Sequence, residues 1–452
     1  MSLNIPSLEA PHKTTTTNYA ELLSRYVQIP SISGNEKEAG RFWSDTCQKA
    51  GLKVQIFTDE QDSYNFAASL YPLESRKPNI VFINHIDVVP PGNSDAYKHP
   101  PFSGAIDNNE IWGRGAIDNK GMAVMQLGAV EKFIKLARTT ELPYNITLLS
   151  VSGEETGGHK GAKVVSEQFL EILNPSVVFG EGGLGLPKVL SRNPDMKVFG
   201  IAVSAKRRLW LELKLGMNTS GHGSVTPHNY VVKEKIFAMN NLLEWERKLF
   251  FSKTTDIMFS SLGKLEGGIK GFILKNLRYF KPFLNKTLKR NEIIHSVLTN
   301  TITIIGVNTP AGPPNQIPQE ISVILDCRLL PDIETNTFIE ELKEVMDCKE
   351  IQFNIILEDK NAKASMPELF YSKMEKAIKD VFPGSEVIPI ISPASDDNHF
   401  FRYHGIPVYG LLPVFMDISY METVHNVNER LPLFALQQGI DIYAATIKNI
   451  LN

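Results

Sequence analysis

Tyr144-Asn145-Ile146-Thr147-Leu148-Leu149-Ser150-Val151 runs directly into Ser152-Gly153-Glu154-Glu155-Thr156-Gly157-Gly158. The first half reads as a buried strand, and the second as a glycine-rich turn carrying two adjacent carboxylates. The same pattern extends outward from it. Apolar runs at 52–57, 79–85 and 176–180 are bounded by Gly, Pro or polar clusters, as strands are. Helical stretches at 121–137 and 160–173 lie between the later runs. Upstream, Asn18-Tyr19-Ala20-Glu21 offers a capping residue with Glu three places on, which predicts a helix that stops before Pro30. A second helix over 36–50 ends at Gly51, a natural left-handed cap. Strand, helix, strand, helix in this rhythm predicts an α/β domain around a largely parallel sheet.

Near residue 200 the rhythm changes. Leu209 to Leu215 alternates as a half-buried strand, and 229–249 is helical, with Phe237, Met239, Leu242 and Leu243 expected inward. Strands at 300–306 and 320–329, a helix at 335–346 and a strand at 351–358 follow. That order, β-α-β-β-α-β, is ferredoxin-like. Helices near 367–380 and 432–450 then resume the first pattern. The expected architecture is a discontinuous α/β domain, 1–199 and 363–452, with an inserted ferredoxin-like domain, 200–362. The insertion around 250–299 is basic and aromatic: Lys264 to Arg290 holds eight Lys or Arg and one Glu among Phe272, Ile273, Leu274, Leu277, Phe280 and Phe283. Two readings stand for it, a membrane-surface element or a lid helix that buries its apolar face and solvates its charges.

At 452 residues the chain exceeds the size at which one core stops growing, in keeping with two domains. Lys and Arg total 47 against 50 Asp and Glu, so no global positive field exists to bind nucleic acid. Cys47, Cys327 and Cys348 are too few for a disulfide framework and lack metal-site spacing. No apolar run approaches the roughly 18 residues that span a bilayer. Met1 to Thr17 has neither the basic start nor the apolar stretch of a signal peptide. A soluble, cytoplasmic protein is the expectation.

Five places could do chemistry, each at a strand end or an adjoining loop, where open α/β sheets put their sites. In Asn84-His85-Ile86-Asp87, positions two apart face the same way, so Asp87 can accept the second ring N–H of His85. The loop Gly113-Arg114-Gly115-Ala116-Ile117-Asp118 can present Asp118 beside a metal, and it matches neither phosphate-loop nor dinucleotide spacing. Glu154 and Glu155 point apart, so one can ligate while the other serves as base. Glu181 follows the run at 176–180, and His425 lies in the polar loop His425-Asn426-Val427-Asn428-Glu429-Arg430. Each alone has an ordinary structural reading, a hydrogen bond, a turn or a solvated acidic loop. Their combination in this order is hard to obtain by accident.

With these residues the chain resembles the co-catalytic zinc exopeptidases and deacylases that include acetylornithine deacetylase, succinyl-diaminopimelate desuccinylase, aminoacylase and carboxypeptidases G and S. The resemblance implies two zinc ions, with cobalt or manganese as alternatives. His85 and Glu181 would hold one, Glu155 and His425 the other, and Asp118 would bridge both. It implies Glu154 as general base acting on a zinc-bridged water, Asp87 as the partner of His85, and a cis bond between Asp118 and Asn119. In Ser220-Gly221-His222-Gly223-Ser224, His222 resembles a lid histidine that reaches a neighbouring subunit's site, which implies a homodimer formed through the lid. Asn315 and Arg328 resemble lid residues that meet a substrate carboxylate. The implied substrate is small, an N-acyl amino acid or a short peptide with a free carboxylate, cleaved at an amide bond. Phe280-Lys281-Pro282 and Arg290-Asn291 look most like the carboxypeptidase S and N-fatty-acyl amino acid hydrolase branch. Two departures stand out. Asn84 replaces a usual Gly or Ala, and Ser392-Pro393-Ala394-Ser395-Asp396 lacks glycines that shape the carboxylate pocket in relatives. The rival expectations are a zinc-bound scaffold without activity, and a membrane-associated fatty-acyl amino acid hydrolase or synthase.

Overall fold

A computed structural model describes residues 13–218, 221–348 and 350–452; Ser220 and most of Met1 to Thr17 lie outside the described residues. β1 (Lys53–Glu60) and β2 (Ser63–Ser69) form a hairpin, β3 (Asn79–His85) follows, and short β4 (Ala105–Asp107) and β5 (Glu110–Trp112) make a second hairpin. Then come β6 (Asn145–Val151), β7 (Pro175–Leu186), β8 (Val198–Ala205) and β9 (Arg207–Gly216). β10 (Thr301–Asn308), β11 (Glu320–Leu329), β12 (Gln352–Glu358), β13 (Glu386–Ser392), β14 (Val408–Phe415) and β15 (Arg430–Pro432) complete the set. Eight strands build one sheet in the order β1-β2-β6-β3-β7-β14-β8-β13. Its pairs β3–β6, β3–β7, β7–β14 and β8–β13 are parallel, as the strand–helix rhythm predicts.

Every residue of β3 and β6 is buried, because helices cover both faces. Ile80 and Phe82 join one core with the helices Lys13–Val27, Lys120–Thr139 and Leu433–Leu451, while Val81 and Ile83 join another with Ala162–Gln168 and Asn398–Tyr403. The first helix begins at Lys13, before the expected cap at Asn18. The stretch expected as one helix over 160–173 is two, Ala162–Gln168 and Leu170–Leu173. β7 continues past residue 180 because it pairs on with β14 through register shifts and with β8 in antiparallel fashion, so Glu181 lies within the strand.

β9 to β12 form a second, four-stranded antiparallel sheet in the order β10-β11-β9-β12. Leu209, Leu211, Leu213 and Leu215 alternate onto the face covered by helices Val231–Glu244 and Thr335–Met346. On the first of those helices Met239 and Leu242 are buried, but Phe237 and Leu243 are 59% and 70% exposed. The inward stripe runs through Lys235, Ala238, Met239 and Leu242, and positions 237 and 243 fall off it. The chain leaves the large sheet at Lys206, between β8 and β9, so the change of rhythm read at residue 200 falls inside β8. Helices Lys253–Glu266, Gly268–Lys275, Leu277–Arg290 and Glu292–Leu298 occupy the basic insertion. Their apolar faces pack on Ile391 and Leu330, so they rest against the end of β13.

Candidate metal centre

The large sheet brings three of the five motifs together, at the ends of β3 and β6 and inside the neighbouring β7, and the small sheet β15-β5-β4 brings in the Asp118 and His425 loops. His85 ends β3, and Glu154 and Glu155 form a single 3-10 turn after β6. That turn needs glycine at both ends, since Gly153 and Gly157 have φ of 70° and 112°. Asp118 closes the glycine-rich loop after β5, and its bond to Asn119 is cis.

Asp118 faces two ways. Its Oδ1 lies 2.9 Å from His85 Nε2, and its Oδ2 lies 3.2 Å from His425 Nε2. Glu181 Oε2 approaches His85 Nε2 at 3.6 Å, and Glu155 Oε1 approaches His425 Nε2 at 3.0 Å. Two donor groups therefore share one carboxylate: His85, Asp118 and Glu181, and Asp118, Glu155 and His425. Within the same cluster Glu154 groups with His85 and Glu155. Four carboxylates face two imidazoles here, a surplus of negative charge that bound cations or protons must offset. The strain is visible in the titrating groups. Burial and the neighbouring Glu181 push Glu154 well above the usual carboxylate range, and hydrogen bonds to Asp118 and Glu155 raise His425 to about 10. His/carboxylate sets of this kind, with one shared carboxylate, suit zinc and similar divalent ions.

Asp87 stands against both His85 and the glutamate turn. The second ring nitrogen of His85 is satisfied first by the backbone carbonyl of Asp87, at 2.9 Å, with the Asp87 carboxylate further off at 3.5 Å. That carboxylate also accepts the backbone N–H groups of Glu154 and Glu155, at 3.1 and 3.2 Å, and the Ser33 hydroxyl at 2.7 Å. It caps the turn that carries the two glutamates, because the first N–H groups of any such turn have no internal partner.

A cavity of about 200 Å³ opens over the cluster. Asp118, Glu154, Glu155, Glu181 and His425 line it, together with Met122, Leu412, Met421 and Val424, with Ser392 at the end of β13, and with Ala394 to Asp396 just past it. His222, Asn315 and Arg328 do not line it. Asn315 Nδ2 is 2.7 Å from His222 Nε2, both on exposed loops. Arg328 donates from Nε and Nη2 to both carboxylate oxygens of Asp326.

Three residues that hold the site went unread in the sequence. Asn119 donates to Glu181 Oε2 at 2.9 Å. Lys120 is fully buried and donates to the carbonyls of Tyr26 and Ile29, tying the Asp118 loop to the end of the first helix. Arg208, on β9, pairs with Asp359 beyond β12 and donates to the Gly157 carbonyl at 3.0 Å, so the smaller sheet is anchored to the Glu154–Glu155 turn. Only pairing across distant strands gives them their roles, and none carries a local signal.

A parallel sheet with a shared-carboxylate His/acid cluster at its strand ends defines a class, the metal-dependent hydrolases of the metallopeptidase and aminoacylase type. The chain belongs to peptidase family M20/M25/M40, whose model matches residues 81–449. A probable carboxypeptidase S-like 2 from Dictyostelium discoideum is 26% identical over 88% of this chain and 76% of its own. The N-fatty-acyl-amino acid synthase/hydrolase PM20D1 of Xenopus tropicalis is 24% identical over 95% of this chain and 85% of its own. Among solved structures, an M20 family metallo-carboxypeptidase from Sulfolobus solfataricus superposes with a TM-score of 0.71 at 21% identity, covering 96% of this chain and 99% of that one.

Proposed function

We propose that the protein hydrolyses the amide bond of an N-acyl amino acid or short peptide with a free carboxylate, using two zinc ions. The observation that carries this is Asp118, whose two oxygens each meet a different histidine–glutamate pair. His85 and Glu181 would hold one ion, Glu155 and His425 the other, with Asp118 between them. Bound there, the ions would polarise the scissile carbonyl and make water a stronger acid. Glu154 is the base: it lines the cavity, it is not needed in either shared-carboxylate group, and its backbone is fixed by Asp87. It takes the proton of the attacking water and passes it to the leaving amine, so the amine departs neutral. In a homodimer formed through the smaller sheet, His222 of the partner subunit would help stabilise the oxyanion, and Asn315 and Arg328 would meet the free carboxylate when that sheet closes on the cavity, which also excludes water.

The test is amine release from a panel with added zinc, holding N-acetyl, N-succinyl and N-long-chain-acyl amino acids and dipeptides. Release from at least one class is expected; none, with two metals bound per chain, would overturn the substrate assignment.

A second reading concerns where the enzyme works. On helix Leu277–Arg290, Leu277 and Leu288 are buried, as a lid helix requires, while Tyr279 and Phe283 are 78% and 85% exposed. Lys286 and Arg290 continue that outward stripe at helical spacing, and Phe272 of the preceding helix meets Phe280 edge-on. The one acid between Lys264 and Arg290, Glu266, is buried and bonded to Ser191. An aromatic, cationic face of this kind suits an anionic lipid surface. Sedimentation with phosphatidylglycerol vesicles in low salt is expected, with loss of binding in high salt and in the variant Phe283→Ser/Lys286→Glu. Binding that ignores both changes would remove this reading. No helix among the described residues is long and apolar enough to cross a membrane.

A further inference from the structure

We infer that Glu429 is a positioning residue that locks the Asp118 loop and the His425 loop into one frame. The inference rests on the proposed metal role of those two residues. Glu429 lies four residues beyond His425 and is 1% exposed. Its Oε1 accepts the backbone N–H of Ile117 at 2.9 Å and of Asp118 at 3.1 Å. Its Oε2 accepts the backbone N–H of Gly115 at 3.0 Å and Arg114 Nη1 at 2.7 Å. The backbone takes part too, since the Glu429 carbonyl accepts the N–H of Gly113 and the next residue, Arg430, pairs with Trp112 in the β5–β15 ladder.

Four donors fill the ordinary acceptor capacity of a carboxylate, so Glu429 has no lone pair left for substrate or proton transfer. Its work is to hold shape. Three N–H groups of one short loop converge on a single point, an arrangement that needs an anion at its centre. Gly113 and Gly115, with φ of 149° and 89°, allow the loop to turn those groups inward. The Glu429 side chain has no exposed surface, so its bonds to these groups do not compete with bulk water. Arg114 is 1% exposed and matches the charge of Glu429, which offsets the cost of burying it. The orientation of Asp118 relative to His425 is thereby set by a group that touches neither the cavity nor the proposed metals.

In a narrower role Glu429 would only neutralise Arg114, and the experiment separates the two. Zinc affinity is measured by chelator competition on the whole protein, with thermal midpoint as a control for folding. Glu429→Gln keeps one acceptor oxygen but turns an NH₂ toward the Gly115 N–H and the Arg114 guanidinium. A fall in zinc affinity of about 10- to 100-fold is expected, the range typical when a ligand's supporting hydrogen bonds are lost. Glu429→Asp retains the charge but shortens the reach, and the double variant Arg114→Met/Glu429→Gln restores charge balance; both are expected to stay weakened. Wild-type affinity in Glu429→Asp or in the double variant would reduce Glu429 to a counter-charge and overturn the inference. Wild-type protein and Asp118→Ala are measured alongside. If the wild type binds no zinc, the metal reading itself fails; if it binds and Asp118→Ala does not, the Glu429 result stands alone.

Discussion

Asp118→Ala is expected to lose both metals, not one, and with them all measurable turnover. The reason is geometric. Asp118 Oδ1 serves the His85 side and Oδ2 the His425 side, so a single truncation removes a donor from each group. What remains is one imidazole and one glutamate per group, fewer than the three protein donors that a catalytic zinc site normally has. Two readouts check this independently of activity. Metal content after dialysis should fall from two ions per chain to near none. The upward shift of Tm on adding zinc, which follows from binding to the folded state alone, should vanish. A variant that keeps two tightly bound ions would show that Asp118 does not bridge.

Glu154→Ala should do the opposite. Its carboxylate lies in the cavity lining, while both shared-carboxylate groups are complete without it. Metal content should therefore stay at two ions per chain while kcat falls by about 10²- to 10⁴-fold, the usual contribution of a positioned general base. KM should change little, because the proton transfer belongs to the transition state. Removing a buried carboxylate that burial and Glu181 hold against ionisation should also leave Tm unchanged or raised. An active Glu154→Ala enzyme would sink the assignment of the base. Together the two variants separate holding the metals from moving the proton, which neither does alone.

Much of this site was legible in the chain. His85, Asp118, Glu155 and Glu181 each stand in or beside a run that reads as a strand or a glycine-rich turn, His425 stands in a polar loop before the last helix, and strand ends are where such sheets place chemistry. The helix-forming and strand-forming periods also predicted the four-stranded sheet, since Leu209 to Leu215 alternates as a one-sided strand must. Errors fell where neighbours outvote local pattern. β8, eight residues behind a polar loop, went unread; its pairing with β13 and β14 is what places it inside the large sheet. Phe237 and Leu243 were expected inward because they are apolar, yet both lie largely exposed, off the buried stripe of their helix.

The supporting groups show the same limit more sharply. His85 and Asp87 are two residues apart, and spacing alone suggested that the Asp87 carboxylate orients the histidine. In the folded chain the Asp87 carbonyl comes closer to the ring than the carboxylate does, and the carboxylate also caps the turn bearing Glu154 and Glu155, about 67 residues downstream in sequence. Glu429 is more remote still from the loop it organises, 311 positions from Asp118. Residue type and period are local properties, and they determined which strands form, which turns need glycine and which side chains are able to bind a metal. Which N–H meets which carboxylate depends on the distance between strands far apart in sequence, and that distance exists only once the sheet has closed.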